Sequence, residues 1–593
     1  MARYTITGIP VSSGIAIGKA VFLNRNRFEH VPRHSLSEGA VEGETERLKQ
    51  AFAQTEDYLE GLRKRVPREL RDHALIIDSH LMILRDPKLT DKAVNFVKEH
   101  RINAEWALEK AVGELRDAFS ALEDPYIRER MNDVRMVAER VLIQLSGELT
   151  DFSHVQGRVA LMAHDLTPAD TVELSLDKIL CLATSLGAKT SHTGILARSL
   201  QIPAVVGVDE LEEKVQDGDL VVVDGLKGRI LVEPDDEELA HYEELGDQFE
   251  AYQKSIIRFC HLPGETRDGY SVEVMANIEL FEEVAQVIDN GGEGVGLYRT
   301  EYSYMNRSQL PDEEELFEEY SDLASILAPR GLTIRSLDIG ADKMLSHFGG
   351  FEESNPALGM RAIRFCMRHP DIFKTQVRAV LRAGIYGPIR IMFPMISGLK
   401  ELRYAKAVFN EAKAELKREG RDFDPLMPFG IMVELPSAVM VAEFLAQEVD
   451  FFSIGTNDLI QYSLGIDRTN RGVSYLYQPL HPAIVRMIKQ VVDAAHMSGI
   501  EVGLCGEMAA DPFCVPILMG MGVDSLSMGP QAVPGIKRII RQTDMDECTE
   551  LLKMVLKSRT VSRTNRLVRD IIYQRYPEEL TFYSSLLDIE EAN

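Results

Sequence analysis

The chain is poor in the residues that would build an exported, redox-active or metal-clustered protein. It has a single tryptophan, Trp106, in 593 residues, and six cysteines: Cys181, Cys260, Cys366, Cys505, Cys514 and Cys548. The cysteines are scattered, with neither the paired spacing of a metal site nor the density of a disulfide framework. That usage suits a reducing cytoplasm. No apolar run approaches the length of a bilayer span. The start, Met1-Ala2-Arg3-Tyr4-Thr5, lacks the apolar core of a signal peptide, so neither membrane insertion nor export is expected. Positive charge is also short. Against 93 Asp and Glu stand 66 Lys and Arg, a net charge of −27. Such a balance disfavours nucleic acid as a partner and favours a basic protein partner, although it also serves solubility.

What is present is an ordinary apolar content of 45% in a chain too long for one compact core, so two to four domains are expected. The most informative stretch runs from Gly187 through Ala188-Lys189-Thr190-Ser191-His192-Thr193-Gly194 to Ile195-Leu196-Ala197-Arg198-Ser199. A glycine turn leads into a hydroxyl-rich step and then a helix with Ile195, Leu196 and Leu200 at buried spacing. Thr190 and Ser191 are capping residues, which puts His192 in the first helical turn. There a phosphoryl group on the imidazole would lie beside unpaired N–H groups at the positive end of the helix dipole. Taken alone, the histidine reads equally as a capping-loop residue with a structural hydrogen bond.

Before this stretch, Gly8 to Gly18 reads as short strands with tight turns that must pair with strands from elsewhere in the chain. From Val41 to Leu145 the period becomes helical. Four stripes are visible: Leu48, Phe52, Leu59 and Leu62; Ile77, Leu81 and Leu84; Leu108, Val112, Leu115, Phe119 and Leu122; and Val134, Val137, Val141 and Leu145. They predict an inserted four-helix bundle. Strands are expected at Val159–Met162, Ile179–Leu182, Leu220–Asp224 and Arg229–Val232, with a turn into a helix at Asp165-Leu166-Thr167-Pro168. Pro234 then opens an acidic, solvated linker helix through about Ile257.

From Val272 onward, eight β-rich runs alternate with helical stretches: Val272–Asn277, Gly294–Tyr298, Leu332–Leu337, Ile389–Pro394, Phe429–Val433, Phe451–Gly455, Glu501–Leu504 and Ser525–Met528. This is the arithmetic of a TIM barrel. Polar residues gather just after the strands: Arg299, Arg335 and Asp338, Glu434, Asn457 and Asp458, Cys505 and Glu507. In such barrels the C-terminal strand ends converge on the active site. Arg299, Arg335, Arg361 and Arg468 offer planar, permanent charge for a phosphate or carboxylate, and Lys343 adds a point charge. Glu434 and Asp458 fit a hard divalent cation bridging phosphate to protein.

The motifs Thr190-Ser191-His192-Thr193, Ile202-Pro203-Ala204-Val205-Val206-Gly207, Gly296-Leu297-Tyr298-Arg299-Thr300-Glu301, Arg335-Ser336-Leu337-Asp338, Asn355-Pro356-Ala357-Leu358-Gly359-Met360-Arg361 and Leu504-Cys505-Gly506-Glu507 together resemble the Enzyme I family of the bacterial sugar phosphotransferase system, among the phosphoenolpyruvate (PEP)-utilising enzymes. The resemblance covers nearly the whole chain. It implies a multidomain α/β architecture: a small swivelling phosphohistidine domain (1–32 and 147–233) with an inserted helical HPr-binding domain (33–146), a linker helix (234–262), a PEP-binding (β/α)8 barrel that also dimerises (263–577), and a tail (578–593).

It further implies that His192 carries the phosphoryl group, supported by Thr171 and Lys189, and that Cys505 protonates the enolate released from PEP. Arg299, Arg335, Lys343, Arg361, Asn457, Asp458 and Arg468 would bind PEP, and Glu434 and Asp458 would hold Mg2+. Exposed His80 and Met82 are candidates for docking an HPr-type carrier, although an ordinary core stripe explains their segment equally well. Two departures stand out: Gly187-Ala188-Lys189 replaces the family's usual Gly-Gly-Arg, and Gly340-Ala341-Asp342-Lys343 its Gly-Gly-Asp-Lys. A PEP synthase or pyruvate phosphate dikinase is a rival reading, but no Gly-rich phosphate-cradling segment precedes the histidine domain. The other readings are a regulatory, nitrogen-type relay, whose N-terminal sensor domain is not seen, and a catalytically dead scaffold.

Overall fold

The computed structural model describes residues 3–23, 31–65, 80–120, 125–146, 157–166, 178–187, 193–194, 197, 200, 202–304, 309–339, 355–467, 470, 473–577 and 582. The chain forms two compact units, Met1–Glu250 and Ala251–Asn593. No helix among the described residues is long and apolar enough to cross a membrane.

The first unit is built on a mixed eight-stranded sheet. Its strands are β1 (Tyr4–Thr7), β2 (Ile9–Ser12), β3 (Ile15–Leu23), β4 (Val159–Ala163), β5 (Ile179–Thr184), β6 (Ala204–Val206), β7 (Leu220–Asp224) and β8 (Arg229–Val232), in the order β1-β8-β7-β3-β4-β5-β6-β2. The N-terminal strands do find partners far along the chain: Tyr4 lies opposite Val232 and Ile15 opposite Asp224, both antiparallel. The central strands β3, β4, β5 and β6 run parallel. Their near-continuous apolar sequence fits burial on both faces, as in β4, where all five residues are buried.

Between β3 and β4 the helices Val41–Arg65, Pro87–His100, Ala104–Ser120 and Pro125–Ser146 enclose a separate core of Leu48, Phe52, Leu59, Leu89, Val97, Leu108, Val137 and Val141. The helix Pro87–His100 corrects the sequence reading, whose stripes pass from Ile77, Leu81 and Leu84 to Leu108 with no element between. The local signal is clear in retrospect. Asp86 caps the helix by accepting from the Lys88 N–H at 2.9 Å, and Pro87 occupies the first position, where its missing donor is harmless. His80 is a second correction. It is only 5% exposed, packed among the bundle residues, whereas Met82 is 74% exposed. The two sit on opposite faces of one turn of helix, so the alternation of Ile and Leu around them marks a core stripe through Leu81 and Leu84.

The acidic segment after β8 forms the helix Asp236–Ile257, with Asp236, Glu237 and Glu238 in its first turn, where the helix dipole favours them. The division between the two units falls inside this helix.

The second unit is a closed parallel barrel of β9 (Glu273–Ile278), β10 (Gly294–Arg299), β11 (Gly331–Arg335), β12 (Ile389–Phe393), β13 (Phe429–Val433), β14 (Phe451–Ile454), β15 (Glu501–Leu504) and β16 (Ser525–Met528), sealed where Ser525–Met528 pairs with Glu273–Ala276. Every strand lies within a residue or two of its expected place. Inside, Leu297, Met392, Met432, Phe451 and Cys505 form one packed cluster, so the barrel is filled rather than hollow.

The last barrel helix, Val533–Arg541, also fixes the segment that enters the barrel. Lys537, 1% exposed, donates to the carbonyls of Cys260 (3.2 Å), Leu262 (2.9 Å) and Gly291 (2.7 Å) and pairs with Glu293 (2.9 Å). Arg538 donates to Ser255 Oγ at 2.7 Å and Arg541 to the Pro263 carbonyl at 2.9 Å. Gly291, at φ +72°, lies so close that a Cβ would stand 2.0 Å from the Cys260 carbonyl oxygen. The end of the linker is thus held by cations set against backbone carbonyls. Lys537→Met should destabilise the barrel unit by about 3 kcal/mol, because three carbonyls and Glu293 lose their buried partner. Denaturant unfolding checks this, and an unchanged midpoint would show that the clamp is dispensable.

Candidate functional site

Because all eight strands are parallel, the residues that follow them share one rim. That rim carries a network of buried charge. Asp338, with a side chain only 2% exposed, lies between two arginines: Arg335 Nη1 at 3.3 Å and Arg361 Nη2 at 2.9 Å. Arg361 meets it bidentately, with Nε at 3.0 Å from Oδ1. Burial alone would push the Asp338 carboxyl up, but Arg335 and Arg361 reverse this and hold it below the usual carboxylate range. Arg335 also pairs with Glu301, and Arg299 with Glu279. Arg361 continues to Asp458 at 3.4 Å and donates to the Tyr462 hydroxyl at 3.0 Å. Both Arg335 and Arg361 are raised further above their already high range: burial works against their charge, and the surrounding carboxylates, Glu301 and Asp338 foremost, outweigh it.

Glu434, at the end of β13, shows the opposite balance. Burial pushes its carboxyl well above the usual range, and the nearby negative charges of Asp458 and Asp338 add to this. One oxygen accepts the Met395 N–H at 2.6 Å. Met395 adopts φ +58°, and Ala362, next to Arg361, adopts φ +52°. Left-handed backbone at non-glycine residues stores strain, and among the described residues of this unit it occurs at these two rim positions, where it aims Met395 N–H at Glu434 and sets the entry of Arg361.

Cys505 follows β15 and closes the apolar cluster inside the barrel from the rim side. Its sulfur accepts from Ser453 Oγ at 3.2 Å. Burial pushes the thiol up, with the Ser453 hydrogen bond and Arg335 opposing it, so the group is a protonated thiol at neutral pH. Asn277 fixes the backbone around it by donating to the carbonyls of Cys505 (2.9 Å) and Ser527 (3.2 Å). Asn457 accepts from the Glu507 N–H at 2.9 Å, joining the ends of β14 and β15.

The structure therefore brings together Arg299, Arg335, Arg361, Glu434, Asn457, Asp458 and Cys505. Lys343 and Arg468 lie outside the described residues. So do Thr171, Lys189 and His192 of the first unit, together with Ala188, Ala341 and the capping pair Thr190 and Ser191. What is described around that motif is the end of β5, Gly187 at φ +122°, and buried helical Thr193 and Gly194. The sequence reading missed the carboxylates that hold the arginines, Glu279 and Glu301, and the positioning groups Asn277, Ser453 and Tyr462. Only Asn277 had a visible signal, as the polar residue near the end of an apolar run.

Glu434 after β13 and Asp458 after β14, two carboxylates on adjacent strand ends, are a donor set suited to a hard divalent cation. Among the described residues no cluster of three or more acidic, His or Cys side chains is poised to hold a metal. Two protein ligands with the remainder from substrate and water is the arrangement Mg2+ prefers.

Comparison with known proteins matches three family descriptions in chain order: "PEP-utilising enzyme, N-terminal" over residues 7–130, "PEP-utilising enzyme, mobile domain" over 155–228, and "PEP-utilising enzyme, PEP-binding domain" over 253–545. The chain is 41% identical over 567 residues to a phosphoenolpyruvate-protein phosphotransferase of Bacillus sp. (strain S), covering 95% of this chain and 98% of that protein. It is 42% identical, with the same coverage, to the protein of that description from Geobacillus stearothermophilus. For the one from Staphylococcus aureus the identity is 40% over 569 residues, covering 96% and 99%.

Gly506 lets β14 and β15 close on each other at this rim. A Cβ there would stand 1.8 Å from Thr456 Oγ1 and 2.9 Å from the Thr456 nitrogen. Gly506→Ala should destabilise the barrel unit by about 1–3 kcal/mol, the usual range for overpacking. Calorimetry checks this, and a wild-type melting temperature would mean that the two strand ends separate freely.

Proposed function

Because the chain belongs to the phosphoenolpyruvate-protein phosphotransferase family, we propose that it takes the phosphoryl group of PEP onto His192 and passes it to a histidine of an HPr-type carrier, releasing pyruvate. The observation that supports this most strongly is the rim itself: Arg335 and Arg361 held on buried Asp338, beside Glu434, Asp458 and a protonated Cys505. Arg299, Arg335, Arg361 and Asn457, with Lys343 and Arg468, would hold the phosphate and carboxylate of PEP. Glu434 and Asp458 would hold a divalent cation, Mg2+ in our reading, which supplies charge neutralisation at the phosphoryl oxygens.

As the His192 nitrogen bonds to phosphorus, the bridging P–O bond breaks and its electron pair passes to the enolate of pyruvate. The arginines stabilise charge on the transferring oxygens. Cys505 then delivers the proton to the enolate carbon, which needs a thiol that stays protonated at neutral pH, as burial ensures here. Asn277 and Ser453 orient that thiol.

One histidine must meet PEP at the barrel and the carrier at the helical insertion in turn, so the phosphohistidine domain (1–32 and 147–233) must move relative to the barrel (263–577), with 234–262 as the connecting lever. Met82, exposed on the helical insertion (33–146), remains the docking candidate; buried His80 does not face a carrier. A homodimer through the barrel is in keeping with Met440 and Met497, 67% and 89% exposed, which line one surface groove. The reducing compartment suggested by the cysteines is the cytoplasm.

Purified protein incubated with PEP and Mg2+, without ATP, should gain one acid-labile phosphoryl group per chain and release one pyruvate. His192→Ala should gain none. Intact mass and a pyruvate assay read both. Labelling that requires ATP would instead identify a dikinase, and absence of labelling in the wild type would refute the proposal.

A further inference from the structure

The arginines at the rim are held from the front by carboxylates, but the backbone that carries them is held from behind by an amide that no part of the reaction uses. Gln376 projects from the helix Pro370–Ala383 and is 1% exposed. Its Oε1 accepts the Leu337 N–H at 2.9 Å. Its Nε2 donates to Thr300 Oγ1 at 2.9 Å and to the Tyr320 hydroxyl at 3.3 Å. Thr300, wholly buried, donates in turn to the Arg335 carbonyl at 2.9 Å.

The direction of this chain is forced. A backbone N–H can only donate, so the amide oxygen must face Leu337 and the amide nitrogen must face Thr300. The Thr300 hydroxyl, having accepted, gives its own proton to Arg335 C=O. Both amide protons and one lone pair of the amide oxygen are thus engaged by protein groups. A buried group this fully satisfied tolerates little displacement, because shifting any member leaves a polar atom without a partner.

The residues joined are informative. Thr300 is the neighbour of Arg299 at the end of β10, and Leu337 sits between Arg335 and Asp338 after β11. One side chain therefore fixes the separation of two strand ends that present Arg299, Arg335 and Asp338. Tyr320 extends the same contact to the helix Glu313–Leu327, which connects these strands, and packs edge-on against Tyr298 of β10.

We propose that Gln376 is a positioning residue for PEP, setting through Thr300 and Leu337 the spacing of Arg299 against the Arg335–Asp338 pair. This rests on the reading of the rim as the PEP site. A shift of a few tenths of an ångström in that spacing would spoil the match of two guanidinium planes to one small anion, because bidentate recognition is geometrically strict.

The test uses the full chain with Mg2+ and PEP, following both the PEP dependence of phosphoryl labelling and PEP affinity by calorimetry. Gln376→Met and Thr300→Val should each raise the apparent KM for PEP by about tenfold, corresponding to one lost charge-orienting contact of about 1.4 kcal/mol. The double variant should be no worse than the weaker single one, since both cut the same chain of bonds. Thr300→Ser, which keeps the hydroxyl, should stay close to wild type. A role limited to packing predicts a lower melting temperature with an unchanged KM, and that result overturns the proposal, as do additive effects. Should Gln376→Met fail to fold, the Thr300→Ser and Thr300→Val pair decides alone. Failure of the functional reading is distinguishable: the wild type would then show no labelling, whereas failure of the relay leaves wild-type labelling intact and the variants indistinguishable from it.

Discussion

The rim of this barrel depends on one buried carboxylate. Asp338 has to be ionised in a place where burial opposes ionisation, and it is ionised because Arg335 and Arg361 sit on either side of it. The converse holds equally: two guanidinium groups could not be brought this close, from elements twenty-odd residues apart, without a negative charge between them. Everything else at the rim is arranged around that constraint. Glu301 and Glu279 take the outer faces of Arg335 and Arg299, Asp458 takes the far side of Arg361, and Glu434 is left as the carboxyl that burial drives toward neutrality. A site that alternates sign so closely is poised for a ligand that is itself an anion accompanied by a cation. PEP with a divalent metal has that composition, and the proposed phosphotransfer needs both.

The supporting structure works at three depths. At the rim, strained Met395 and Ala362 aim one N–H and one guanidinium. Behind it, half-buried Asn277 and Asn457 and fully buried Gln376 tie neighbouring strand ends together through their amides. At the entry to the barrel, Lys537, Arg538 and Arg541 bind the end of the linker through its backbone and Ser255, so force carried by the acidic helix would reach the barrel through a fixed attachment. Apolar packing alone would give none of these the directionality that phosphate recognition requires.

Much of this was legible in the chain. The eight strands were, because parallel strands buried on both faces write short unbroken apolar runs, and three of them were placed to the residue: Phe429–Val433, Glu501–Leu504 and Ser525–Met528. The functional side chains at strand ends were legible too, since a polar residue immediately after such a run has few other reasons to be there. The helix at Pro87 is not legible from the stripe before it, because its own buried residues, Leu89, Ala93, Val94 and Val97, follow a different phase and only the Asp86 cap and Pro87 mark where it opens. His80 was misplaced for a related reason: one turn of helix offers a buried and an exposed face two residues apart, and periodicity without a partner does not say which is which. Asp338 stands out after its strand, but the pairing of the outer carboxylates with particular arginines does not show in the chain. Glu279 and Glu301 are two among 93 acidic residues, and only the closure of the barrel shows which of them face a guanidinium.

The most direct measurement is PEP affinity in Asp338→Asn, read by calorimetry with Mg2+ beside a denaturation curve for the same protein. Removing a negative charge should by itself strengthen the binding of an anion. If Asp338 instead governs the site by aligning Arg335 and Arg361, affinity falls by about tenfold or more, the equivalent of at least 1.4 kcal/mol, in a protein that remains folded. Unchanged or tighter binding would contradict the account, because the arginines would then be in place without the carboxylate between them.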